Sequence, residues 1–514
     1  MERRNKPTHR RGPPPALARA KVLWSERRFD ESLRCFKEAV RQAPDDVSVL
    51  IDASRALGAR FQMDLSMALL NKASRLGWRR ADVQYEVGKS FRMLRRMKEA
   101  EACFRHACRL AATPQSELEL AMICERRHAL DEAADLVASV LRVEPRSFLA
   151  LLLRARIERR RGEVDKARAT LEKLTAAPFQ HPDMLAEAYG ELSILLDAMG
   201  EFDAAWDAII RCKQTLLVHE QPAWSTAQFV LARSKRMVDA LTIDHFCRWR
   251  STTEIGPRRR LALLTGFPRS GTTLLEQVLD AHPEIITCEE ADVFSTEIFS
   301  RLGENLPPES PIDQLLDNLS SNQILDARQS YLDAMQAIHG EPIGPRLHLD
   351  KNPAMNLMIP AMKRVFPELR LVIALRDPRD VVISCFLRYL PINPISVCFL
   401  TLERTIDRFL LDMGAWLKMR QLIDDWIEVR YEDAIVDLGR EAHRTLDVLD
   451  VPWDESILQY RTRSPGKQIR SPSYEEVSQP IFRSSVGRWQ NYERQLAPQL
   501  RRLEPMIAAL GYEK

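Results

Sequence analysis

The stretch LLTGFPRSGTT, Leu263 to Thr273, decides how this chain is read. Upstream, Leu261-Ala-Leu-Leu-Thr265 is an apolar run of strand length; downstream, Thr272-Thr273-Leu-Leu-Glu-Gln-Val-Leu has helical periodicity. Gly266 opens the intervening loop and Gly271 closes it. The sequence therefore predicts a strand, a tight loop and a helix, and the glycines let consecutive amide N–H groups and the helix N-terminus face one anion.

The spacing Gly-x4-Gly-x-Thr is that of a Walker A loop, but Thr272 stands where that loop has its lysine. A triphosphate-hydrolysing site uses the lysine on the outer phosphates and an acidic partner on magnesium. Here the loop's cation is Arg269, inside the turn. This disfavours a P-loop kinase and favours a nucleotide whose terminal group is not a magnesium-bound triphosphate.

On these residues GFPRSGTTLLEQVLDAHPEI resembles the 5′-phosphosulfate loop of sulfotransferases that use 3′-phosphoadenosine 5′-phosphosulfate (PAPS), and in particular the protein-tyrosine sulfotransferase branch. The resemblance covers about half the chain, from near Arg258 to Tyr512. It implies an α/β domain with a parallel sheet, sulfuryl transfer to a hydroxyl, and no metal. It makes Arg269, Ser270, Gly271, Thr272 and Thr273 the loop that holds the donor, with Arg269 also serving the chemistry.

The resemblance places further residues. Glu290, twenty-one positions after Arg269, falls on the general base. A phenol of pKa about 10 is a poor nucleophile at neutral pH, so a carboxylate that takes its proton during attack suits the task. Glu289 is the neighbouring alternative, and His348 is a competing base of the kind small-molecule sulfotransferases use. Lys351 falls on the lysine that touches the leaving-group oxygen, where a cation stabilises charge that builds only in the transition state. Arg376, Ser384 and Arg388, after the apolar strand Leu369 to Leu375, correspond to the 3′-phosphate contacts; on a helix Ser384 and Arg388 would share a face at i, i+4. Tyr431, Ser473 and Arg488 match nucleotide-site positions, Arg488 standing where a lysine is usual.

The first half reads differently. From Ala16 to about Leu216 the sequence repeats with a period near the ~34 residues of tetratricopeptide units. Small residues recur at Ser32, Ser66, Ala100, Ala133, Ala167 and Ala205, each followed four residues later by a bulky one, from Phe36 to Ile209. Such spacing lets paired helices cross closely and predicts five or six stacked units forming an α-solenoid. The expected organisation is a basic Pro-rich tail over 1–15, the array over 16–216, a helical connector over 217–257 and a sulfotransferase domain over 258–514. Every donor contact in this reading lies beyond Arg258, so removing residues 1 to 250 is expected to spare nucleotide binding.

Composition bounds the rest. At 514 residues, 45% hydrophobic and 29% charged, the chain has ordinary globular make-up for two or three cores. Lys+Arg 75 against Asp+Glu 72 leaves +3, which gives no general attraction to nucleic acid. The nine cysteines show no CxxC and read as reduced core residues. No apolar run approaches a membrane span, and the N-terminus lacks an apolar signal core, so a cytoplasmic setting is expected, unlike that of the membrane-anchored tyrosine sulfotransferases. Arg258-Arg259-Arg260 reads as a solvated boundary or a local anion patch. The expected acceptor is a protein or peptide held by the repeats, with tyrosine as its hydroxyl. A glycan or small alcohol, and a binding scaffold with a lapsed catalytic half, are the alternatives. Oligomeric state is not legible.

Overall fold

The computed structural model describes residues 14–177, 181–251, 255–303, 307, 310–460 and 485–513. Its internal contacts define two compact units, Met1–Ser147 and Phe148–Lys514.

In the first unit the described residues form helices Pro15–Ser25, Phe29–Gln42, Val47–Ala59, Met63–Leu76, Ala81–Met93, Met97–Leu110, Pro114–Arg126 and Leu130–Val143, which pack as consecutive pairs. The second unit begins with two more pairs, Phe148–Arg160 with Val164–Ala176 and Pro182–Ala198 with Phe202–Leu217. The predicted small positions Ser32, Ser66, Ala100, Ala133, Ala167 and Ala205 are all 0% exposed, as close crossing requires. Their bulky followers Phe36, Leu70, Phe104, Val137, Leu171 and Ile209 are buried beside them. The turn inside each pair carries one left-handed residue, at Arg27, Phe61, Arg95, His128, Gly162 and Gly200. Four of these bear a Cβ in that conformation, at a cost of about 1–2 kcal/mol each, which the buried helix faces offset.

Helices Gln221–Ala240 and Ile243–Ser251 then lead to the sheet. Its strands are β1 (Leu261–Gly266), β2 (Ile285–Glu289), β3 (Leu347–Lys351), β4 (Arg370–Leu375) and β5 (Trp426–Arg430), in the order β2-β3-β1-β4-β5. All four pairings are parallel. β1 is buried along its whole length and β4 along all but its first residue, which explains why both read as continuous apolar runs rather than alternating ones. The fold class is thus the expected one, a helical repeat array followed by an α/β domain.

Parallel order brings every strand's C-terminal end to one edge. From that edge project Gly266 and its loop after β1, Glu290 after β2, Asn352 after β3, Arg376 after β4 and Tyr431 after β5. Ligands of open α/β sheets bind in this crevice, beside the strand from which the order runs outward both ways, here β1. The basic run before β1 is exposed, and Arg260 pairs with Glu284 at 3.1 Å, so it acts as a solvated boundary.

None of the nine cysteines forms a disulfide, and six of them are buried. No helix among the described residues is long and apolar enough to cross a membrane. The region 1–13 and Ser473 lie outside the described residues.

Candidate active site

A cavity of about 930 Å³ opens at the C-terminal edge of the sheet. Its wall includes Arg269, Gly271, Thr272, Thr273, Glu290, Arg376, Ser384, Arg388, Tyr431 and Arg488, so ten of the residues singled out from the sequence meet in one space. Ser270, Glu289, His348 and Lys351 are buried and are not on that wall.

The loop after β1 has the backbone that its glycines require. Gly266 has φ +145°, and a Cβ there would stand 2.4 Å from the carbonyl oxygen of Ala374. Gly271 has φ +96°, and a Cβ there would stand 2.7 Å from Cδ2 of Tyr431. Gly271 is also the N-cap of helix Thr272–Asp280, which has no side-chain cap, so the first-turn amides lack intrahelical partners and face the cavity end of the loop. Arg269 takes φ +73° inside the turn, a strained conformation for a residue with a side chain. Its Nε donates to Ser384 Oγ at 3.0 Å, which joins the first motif to the second.

Arg376 lies on the cavity wall. Nη1 donates to the Arg269 carbonyl at 3.2 Å and Nη2 to the Ser485 carbonyl. The guanidinium sits over the Tyr431 ring, 5.1 Å from its centroid, and the Tyr431 hydroxyl meets Ser485 Oγ at 2.9 Å. Arg376 Nε is buried without a hydrogen-bond partner among the described residues, a costly state for a cation that a bound anion would relieve. Asp380, 3.8 Å from Arg376, accepts the backbone amides of Gly487 and Trp489, each at 2.8 Å, and burial pushes its carboxyl upward. Arg379 pairs instead with Asp377, a local contact away from the cavity wall.

Arg388 departs from the expected geometry. Helix Pro378–Phe386 ends before it, so Ser384 and Arg388 do not share a helical face; the chain turns off toward Pro391, which cannot continue a helix. Both nevertheless line the cavity. Lys213, on helix Phe202–Leu217, donates to the Arg388 carbonyl at 2.6 Å, and burial lowers its ammonium to about 8. Arg488 is held by Asp197 at 2.6 Å, and the same carboxylate accepts the Tyr492 hydroxyl at 2.5 Å. Asp197 and Lys213 were read from the sequence only as repeat-array positions; nothing in a helical period marks which polar residue of a repeat turns toward a later domain.

On the opposite side Glu290 has φ +51°, and its amide donates to the Lys351 carbonyl at 2.7 Å. This kink lifts its side chain off the line of β2 and into the cavity, where it is 31% exposed. Lys351 Nζ lies 2.7 Å from Glu290 Oε1 and 3.3 Å from Glu289 Oε1 and is fully buried. Ala354, also left-handed, donates its amide to the Gly266 carbonyl at 2.9 Å and ties the end of β3 to the phosphate loop. His348 faces away, into a buried cluster with Tyr331 and with His339 at 3.3 Å, and burial lowers its imidazole to about 3.

The arrangement offers an anion cradle at one end, a carboxylate backed by an ammonium opposite it, and space between. Residues 262–455 match the sulfotransferase family, and residues 17–78 and 120–181 match the tetratricopeptide repeat. Among curated relatives, an uncharacterised protein of Aquifex aeolicus (strain VF5) is 24% identical over 378 residues, covering 72% of this chain and 47% of that protein. The chain thus spans about half the length of that relative. Protein-tyrosine sulfotransferase 1 of Danio rerio is 24% identical over 276 residues, covering 49% of this chain and 72% of the relative. Protein-tyrosine sulfotransferase A of Caenorhabditis elegans is 26% identical over 263 residues, covering 48% and 66%. Among solved structures, the sulfotransferase domain of the Synechococcus PCC 7002 olefin synthase aligns with 19% identity over 45% of this chain and 88% of that one, at a TM-score of 0.34.

Proposed function

We propose that this enzyme, whose residues 262–455 belong to the sulfotransferase family behind tetratricopeptide repeats, moves a sulfuryl group from PAPS to an acceptor hydroxyl, a protein or peptide tyrosine. The observation that carries the reading is the meeting of Arg269, Arg376, Ser384 and Arg388 with Glu290 across one cavity. The cavity fits the donor. Only glycine fits at Gly266 and Gly271, and the buried Arg376 Nε awaits an acceptor. Arg269 and the first turn of helix Thr272–Asp280, with Ser270 in the loop backbone, address the 5′ end. Arg376, Ser384 and Arg388 address the 3′-phosphate, with Tyr431 and Arg488 beside them; Ser473 belongs to the same reading by resemblance.

The chemistry is an in-line displacement at sulfur. A bond forms between sulfur and the acceptor oxygen as the bond from sulfur to the bridging oxygen breaks, and the hydroxyl proton passes to Glu290. Glu290 is the exposed member of the pair, with Lys351 Nζ 2.7 Å from its Oε1. Once protonated, Glu290 competes less for the ammonium, and Lys351 can then turn to the charge developing on the bridging oxygen. The Walker lysine and its magnesium partner have no part in this scheme, so turnover is expected to survive EDTA. The repeats supply an extended surface of the kind that holds peptides, and the setting proposed is cytoplasmic.

Mass spectrometry of reactions with PAPS and a panel of tyrosine peptides, glycans and small phenols tests the reading. A mass increase of one sulfuryl group on a tyrosine peptide is the expected result; modification confined to a glycan would reassign the acceptor.

A further inference from the structure

The cavity extends beyond the cradle and the Glu290 carboxylate, and part of its lining comes from residues outside the family match. Ala227, Val230, Leu231 and Ser234 of helix Gln221–Ala240 line it at i, i+3, i+4 and i+7, one face of that helix. Leu390 and Ile395, on either side of a turn between Pro391 and Pro394, line the same cavity. The turn is held by its own bonds. Asn393 Oδ1 accepts the amides of Ile395 at 2.8 Å and Ser396 at 3.0 Å, and Ser396 Oγ donates to the Pro391 carbonyl at 2.6 Å.

Two observations define what this space would take. Val230 is 42% and Ile395 48% exposed, large apolar groups that face a cavity rather than a core. The cavity's cation outside the donor cradle, Arg408, is paired with Asp412, so its charge is already met. Burial pushes the Asp412 carboxyl upward.

We infer that the groove between helix Gln221–Ala240 and the Pro391–Pro394 turn selects the acceptor, and that it takes a hydroxyl carried on an apolar scaffold, a phenol with aliphatic neighbours rather than acidic ones. This rests on the reading of the cavity as a sulfuryl-transfer site. The groove is continuous with the space in front of Glu290, so a ring seated between Val230 and Ile395 belongs to the same molecule that presents its oxygen to the base. A pre-organised turn gives such selection at little ordering cost. The selecting helix precedes residues 262–455, so specificity is contributed by the segment that joins the repeats to the catalytic domain.

The same chemistry could arrive as a free alkylphenol or as a tyrosine flanked by leucine and isoleucine, and the test separates the two. The full chain is assayed with PAPS and three acceptor sets: 4-alkylphenols from ethyl to hexyl, a leucine-flanked tyrosine peptide, and a glutamate-flanked peptide of equal length. Affinity for 3′-phosphoadenosine 5′-phosphate is measured alongside. KM should fall ~3- to 4-fold per added methylene until the groove is filled, or the leucine-flanked peptide should be preferred, and whichever set responds names the source. Val230→Glu and Ile395→Glu, both at exposed positions, should raise KM for that set at least ~10-fold with nucleotide affinity unchanged. Preference for the glutamate-flanked peptide, no effect of either variant on KM, or no sulfation in either apolar set while the nucleotide binds would each overturn the inference. Failure to bind the nucleotide would instead remove the underlying reading, and the inference with it.

Discussion

Lys351 and Glu290 share one hydrogen bond, 2.7 Å long, yet only Glu290 reaches the cavity. The ammonium is sealed at 0% exposure and touches Glu289 as well, so two carboxylates of unlike exposure compete for one cation. The exposed carboxylate is therefore the member placed to accept a proton, and the buried one keeps the lysine in register with β2.

Glu290→Gln preserves shape and can still accept from Lys351, but it cannot take a proton. Turnover should fall by ~10²-fold or more while nucleotide affinity barely moves. Steady-state kinetics beside calorimetry checks both halves, and near-normal turnover would remove Glu290 as the base.

Lys351→Met keeps the aliphatic stem and leaves Glu289 buried without its cation. Turnover should drop, and stability should fall by about 3–5 kcal/mol, the cost of breaking one side of a buried pair. Glu289→Gln with Lys351→Met in the same chain should recover much of that stability, without recovering turnover.

The deletion expected from sequence to spare nucleotide binding, residues 1 to 250, is too long. Helices from Phe148 onward belong to the same compact unit as the sheet, and Asp197 and Lys213 hold Arg488 and the Arg388 carbonyl. Removal of residues 1 to 147 should spare nucleotide binding and lower modification of a protein acceptor. Removal of 1 to 250 should abolish nucleotide binding. Asp197→Asn, a smaller cut at the same contact, should weaken nucleotide affinity with unchanged overall helicity, measured by calorimetry and circular dichroism.

His348 gives a pH signature. Burial, and then the neighbouring His339, lower its folded pKa to about 3 from an ordinary 6.5, so the unfolded chain binds the proton first. Stability attributable to this residue is present above pH 6.5 and is lost as the pH falls from 6.5 toward 3. His348→Phe should flatten the thermal midpoint across that window relative to the parent chain. An unchanged slope would contradict the buried neutral imidazole.

The legible parts of this molecule are those where one residue type has one physical reason. Gly266 and Gly271 could be read because no side chain fits there, and Ser32 through Ala205 because two helices cross at each. The intra-pair turns were less visible, since Arg27, Phe61, Arg95 and His128 adopt left-handed backbone without glycine to announce it. Arg388 was expected on a helix that stops at Phe386, and the hold of Lys213 on its carbonyl, from a residue 175 positions earlier, is a contact no local pattern announces. Lys351 could be placed at the end of β3, but its complete burial follows from the facing pair Glu289 and Glu290, which alternation in a strand does not reveal. The acceptor groove was not foreseen, because a connecting helix carries no mark of the cavity it will line.

The central claim, a donor site built for a 3′-phosphorylated nucleotide, is tested most directly by calorimetric titration with 3′-phosphoadenosine 5′-phosphate and with adenosine 5′-phosphate. In the proposed function Arg376, Ser384 and Arg388 address only the 3′ group, and charge-assisted hydrogen bonds of ~1.5–3 kcal/mol each predict a preference of ~10²-fold or more for the bisphosphate. Equal affinities for the two nucleotides would contradict the account.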